Sequence, residues 1–103
     1  MTSQALNDVA AERQRQIEKE GYTPEHDDGH DNFSLCRAAA AYCVAASGAW
    51  RGSGITSMRA PMYWPWEDAA WKPTYGRRDL VKAGALILAE IERLDRVEAK
   101  TKG

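Results

Sequence analysis

The chain has 103 residues, with 14 Lys and Arg against 15 Asp and Glu, and a formal net charge of −1. That length bounds it to one small domain over residues 1–103, able to bury only about two-thirds of its unfolded surface. The charge balance argues against bulk nucleic-acid binding, which carries a clear basic excess. No apolar run reaches a membrane span and no signal-peptide core opens the sequence, so no membrane partner and a cytosolic place are expected.

Leu6, Val9, Ala10, Arg13 and Ile17 recur at three- and four-residue spacing, which predicts a helix over residues 3–20. Its apolar face is thin, Arg13 interrupts it, and Gly21 supplies a stop. A polar loop over 22–31 follows, and Asp31 or Asn32 is expected to cap a second helix over 33–47. Ala38, Ala39, Ala40, Ala41, Ala45 and Ala46 let a neighbour approach closely, which places this helix centrally, with Leu35, Tyr42 and Val44 filling gaps. Cys36 and Cys43, seven apart, lie roughly 10 Å apart along the axis, too far for a disulfide within the helix. Their alanine neighbours mark them as buried reduced thiols.

The strongest periodicity predicts a third helix over about 77–98, with a tail at 100–103 expected to fray. Leu80, Gly84, Ile87, Ile91 and Leu94 form an a/d stripe that Val81 and Leu88 widen, and Glu92 and Arg96 form an i,i+4 pair. The stripe exceeds what two short, partly polar helices cover, so a homo-oligomer is expected. The fold class is all-α: a small three-helix domain with a long aromatic loop between helices 2 and 3.

That loop holds Trp50, Tyr63, Trp64, Trp66, Trp71 and Tyr75, with Arg51, Arg59, Lys72, Arg77 and Arg78 beside them. Loops this long are functional or disordered, and disordered segments lack large apolar side chains. Tyr22, Trp64, Trp66 and Trp71 are candidate platforms for a nucleotide base. Lys72, Arg77 and Arg78 are candidate phosphate contacts, the last two at a helix start, where free N–H groups favour anions. The competing reading makes the arginines salt-bridge partners and the tryptophans core or interface, at least two of the four being structural.

Glu25, His26, Asp27, Asp28, His30 and Asp31 offer oxygen and imidazole ligands of a kind that suits Mg²⁺ or Mn²⁺. With the acids of the first helix, the metal set would be Glu12, Glu20, His26 and Asp27. The spacing matches neither a zinc motif nor an EF-hand. All-α nucleotide pyrophosphohydrolases of the MazG type hold Mg²⁺ on paired E-x-x-E and E-x-x-D motifs. Here Arg15 stands three residues after Glu12, and the Ala-rich helix carries no acid. No activating base lies near either cysteine in sequence. No catalytic residue and no resident cofactor are assigned, and Mg²⁺ enters only with the hydrolase alternative.

The block Glu12-Arg13-Gln14-Arg15-Gln16-Ile17, continued by Glu20-Gly21-Tyr22-Thr23-Pro24-Glu25-His26-Asp27-Asp28, resembles a group of small phage and prophage proteins. So do Trp64-Pro65-Trp66, Trp71-Lys72-Pro73 and the run from Arg77-Arg78-Asp79-Leu80 to Glu92-Arg93-Leu94. The resemblance covers nearly the whole chain and implies a phage origin and the host cytosol. A second, weaker similarity, to the ryanodine-receptor repeat domain, follows Ile17, Gly21-Tyr22, Asp27-Asp28, Leu35 and Tyr42. The expected function is a nucleotide-binding protein that sequesters a host immune signalling nucleotide. The alternatives are a MazG-like metal-dependent pyrophosphohydrolase and a protein–protein inhibitor of a host defence enzyme.

Overall fold

The computed structural model describes residues 2–28, 33–48, 60, 61 and 63–102, and among them lie four α-helices and one turn of 3₁₀ helix. The helices are α1 (Gln4–Lys19), α2 (Pro24–Asp28), α3 (Ser34–Ser47) and α4 (Arg77–Lys102), with the 3₁₀ turn at Asp68–Ala70. The expected all-α class holds, and no strand occurs among the described residues. Trp50, Arg51, Arg59, His30, Asp31 and Asn32 lie outside the described residues.

Local chemistry sets the helix ends. Ser3 Oγ accepts from the Leu6 N–H at 3.0 Å, an N-cap on α1, and Gly21, at φ 77°, turns the chain after it. The polar loop expected over 22–31 contains α2. Thr23 Oγ1 caps it by accepting from the His26 N–H at 3.1 Å, and Pro24 takes the first helical position. A five-residue helix is too short to show periodicity, so caps alone could have announced it. The N-cap position of α3 is held by Phe33, left-handed at φ 65° and without a side-chain cap bond, rather than by Asp31 or Asn32. α4 continues to Lys102, past the end expected near residue 98 and through the tail expected to fray.

The core lies between α3 and α4. Ala38, Ala39 and Ala41 of α3 meet Ala83, Leu86 and Ala89 of α4, with Leu35, Tyr42 and Trp64 completing the cluster. Small residues on both helices allow close approach, and that decides which face of α4 turns inward. Val81, Ala85, Leu86 and Ala89 are buried, while Leu80, Ile87, Ile91 and Leu94 of the larger stripe stay about half exposed. Gly84 of the stripe meets α1, where Val9 Cγ2 lies 3.2 Å from the position a Cβ would take. The cysteines are corrected: both are exposed, because the buried positions of α3 lie on its other face.

Charged pairs tie the remaining helices to this core. Arg13, 7 % exposed, donates to Asp27 of α2 at 3.1 Å, to the Tyr22 carbonyl at 2.9 Å and to Glu92 of α4 at 3.2 Å. Arg96 pairs with Asp28 at 2.8 Å. The charge of Glu92 still acts on Arg96, its expected i,i+4 partner, while the closest contacts of the two are tertiary ones that fix α1 and α2 against α4.

Candidate ligand groove and its charged rim

Six rings form a continuous chain across the molecule. His26 stacks on Tyr22 (centroids 5.4 Å, 21°), Tyr22 meets Trp66 (5.1 Å, 32°), and Trp66 stands edge-on to Trp64 (5.4 Å, 87°). Trp64 then contacts Trp71 (4.9 Å), which tilts over Tyr42 (4.9 Å, 31°). The Trp64 end is interior: the ring is buried and its Nε1 donates to the Glu67 carbonyl at 3.0 Å. The Tyr22–Trp66 end opens into a groove of about 710 Å³ lined by Glu20, Tyr22, His26, Pro65, Trp66, Glu67 and Ala70.

Sequence reasoning named Tyr22, Trp64, Trp66 and Trp71 as stacking candidates. The structure brings Tyr22 and Trp66 to the groove wall, and puts Trp64 and Trp71 behind it against Tyr42. Pro65, Glu67 and Ala70 were missed as lining residues; the Trp64-Pro65-Trp66-Glu67 run was the only signal for them.

Burial, and next the charge of Glu20, push the Tyr22 phenol up to about 12 from its ordinary 10.0. A raised folded value means that the contribution of neutral Tyr22 to stability is complete below pH 10 and is lost as the pH rises towards 12. Tyr22→Phe should accordingly shift alkaline unfolding to higher pH, read by helical circular dichroism. An unchanged alkaline midpoint would contradict that account.

A ladder of alternating charges starts at the groove. Glu20 pairs with Lys72 at 3.7 Å and with Arg15 at 3.3 Å. Arg15 then holds both oxygens of Glu12, at 2.7 and 2.9 Å, and Glu12 also accepts from Gln16 and from Arg78. Burial raises the Glu12 carboxyl, but the hydrogen bond and charge of Arg15, then Arg78 and Gln16, together hold it below its ordinary value. Beyond the ladder, Lys82 donates to the Lys72 carbonyl at 2.6 Å and lies 5.3 Å from the Tyr42 ring centre. Burial lowers its pKa. Arg15 and Lys82 were not among the sequence candidates.

Arg77 and Arg78 lean onto α1, Arg77 onto Asp8 at 2.8 Å and Arg78 onto Glu12. The start of α4 already carries an anion. The fully buried Asp79 carboxylate accepts from the Thr74, Tyr75 and Gly76 N–H groups at 2.7, 2.6 and 3.3 Å, and from the Thr74 hydroxyl at 3.0 Å. These bonds hold Tyr75 left-handed at φ 62°. Any anionic ligand at this helix start would meet that charge.

Of the metal set, Glu12 and Glu20 belong to the ladder, and Asp27 pairs with Arg13 at 3.1 Å and with His26 at 3.4 Å. Among the described residues no three His, Cys, Asp or Glu side chains gather so as to hold a metal ion, and no helix is long and apolar enough to cross a membrane. Comparison of the chain with protein-family models, with curated proteins and with solved structures finds no match.

Proposed function

We propose that the protein binds a nucleotide in the Tyr22–Trp66 groove and, as a phage product in the host cytosol, sequesters a host immune signalling nucleotide without turning it over. The observation that carries this reading is the pairing of Tyr22 and Trp66 along an open groove, with Lys72 held beside it through Glu20. An indole or phenol face is a platform for any base. Glu20 and Glu67 accept from exocyclic amines or ribose hydroxyls. Among the described residues no Lys or Arg lines the groove, so the phosphates run outward to Lys72. The pyrophosphohydrolase alternative would need Glu12, Glu20, His26 and Asp27 to leave their cationic and hydrogen-bonding partners. The same reading makes the working form a homo-oligomer.

The test is a thermal-shift panel of cyclic and linear nucleotides with and without Mg²⁺. A ligand at 100-fold over Kd stabilises the fold by about 2.7 kcal/mol, and denaturation should release it intact. Trp66→Ala should weaken binding by roughly 1–3 kcal/mol, and Lys72→Ala, at an exposed position, by roughly 1.5–3 kcal/mol. A panel without any shift, or a ligand recovered as hydrolysis products, overturns the proposal. Lys72→Ala separates binding from folding better than Arg78→Ala does, because Arg78 also serves the buried Glu12.

A further inference from the structure

Leu80, Ile87, Ile91, Leu94 and Val97 of α4, with Leu6 of α1, are each between 45 and 55 % exposed. Leu80, Ile87, Ile91 and Leu94 follow the a/d spacing of a helix pair rather than the scatter of single surface leucines, with Val97 beside the seam. Leu6 precedes, by one helical turn, the Val9 that packs on Gly84, so α1 extends the same patch. A standard interface takes about 800 Å² from each partner, roughly an eighth of the 6583 Å² exposed here. The 26 residues of α4 run about 39 Å, long enough to supply most of it.

We propose that a second copy of this chain covers the stripe, with α4 antiparallel to the partner's α4 about a two-fold axis at Ile87. This deepens the self-association part of the functional reading and is independent of the groove. The ends of the stripe choose the orientation. Arg77 flanks its start, Asp95 flanks its end on the same side, and Glu98 lies on the seam itself. A parallel pair sets Glu98 against the partner's Glu98 and both arginine ends together. The antiparallel pair brings Arg77 of one copy towards the partner's Asp95 and the partner's Glu98, and opposes the two helix dipoles. The axis at Ile87 sets Leu80 against the partner's Leu94 at both ends. An axis two residues later would press Leu80 on the partner's Glu98 and Leu94 on the partner's Gly84, which Val9 already covers.

The test combines sedimentation of the full chain with disulfide scanning in a Cys36→Ser, Cys43→Ser background. The parent should sediment as a dimer at micromolar concentration. Ile87→Cys should oxidise to a linked dimer. Leu80→Cys alone and Leu94→Cys alone should not, since each would stand about 21 Å from its own copy, but a mixture of those two chains should cross-link. Ile91→Glu with Leu94→Glu should sediment as a monomer with unchanged helical circular dichroism. A monomeric parent overturns the proposal and leaves the nucleotide panel untouched. Cross-linking of Leu80→Cys to itself as readily as of Ile87→Cys overturns the antiparallel arrangement, and a dimer persisting in the double glutamate variant overturns the surface.

Discussion

Replacing Arg13 with Met is expected to cost about 3–5 kcal/mol of stability, because it strands the Asp27 carboxylate in the interior. Asp27 is fully buried, and Arg13 at 3.1 Å is the cation that donates to its carboxylate among the described residues. The Glu92 arm of the same guanidinium contributes little, since that carboxylate is half exposed. The Tyr22 carbonyl loses its donor as well, so α2 and the groove wall loosen together. Removing both charges, with Asp27→Leu added to Arg13→Met, should cost less than the sum of the single changes, because neither ion is then left unpaired. Urea unfolding of the four chains measures this directly. Additive losses would mean that Arg13 acts by packing alone.

Arg13 also shows where sequence reading ends. Among Leu6, Val9 and Ile17 it looks like a flaw in an apolar stripe, yet it is the residue that binds α1 to α2 and α4. A one-dimensional pattern reports which side of a helix faces inward; it cannot report that the interior supplies a carboxylate. α1 and α4 were legible because their periodicity runs over many turns, and α3 through its run of alanines. The inward face of α4 was not. Two apolar faces compete on that helix, and the choice goes to the one whose alanines match those of α3. The site was half legible. Tyr22 and Trp66 stood out singly as aromatic residues among turn formers, but their meeting depends on the course of α2 and of the chain after Pro61. The ladder through Glu12 and Arg15 carried a local signal at i,i+3, whereas Arg78 reaches it only in three dimensions.

Trp64→Ala should be the most damaging aromatic change, at about 3–5 kcal/mol, and Trp66→Ala should cost clearly less. Both rings belong to the same chain of contacts, so hydrophobicity does not separate them; position does. Trp64 touches Tyr42, Trp66 and Trp71 at once, with centroids at 5.6, 5.4 and 4.9 Å, and packs on the alanines of the α3–α4 core. Truncation there opens a cavity that those small side chains cannot fill, and forfeits three ring pairs worth about 0.5–1.5 kcal/mol each. It also removes the Nε1 bond to the Glu67 carbonyl, which shapes the edge of the groove. Trp66 has the groove on one side, so solvent replaces part of what its removal takes away. In a domain this small the Trp64 loss corresponds to a fall in Tm of roughly 15–30 °C. Melting curves of the two variants without ligand decide the matter. If Trp66→Ala melts as low as Trp64→Ala, the Trp66 ring is core rather than wall, and the stacking role proposed for it fails with that result.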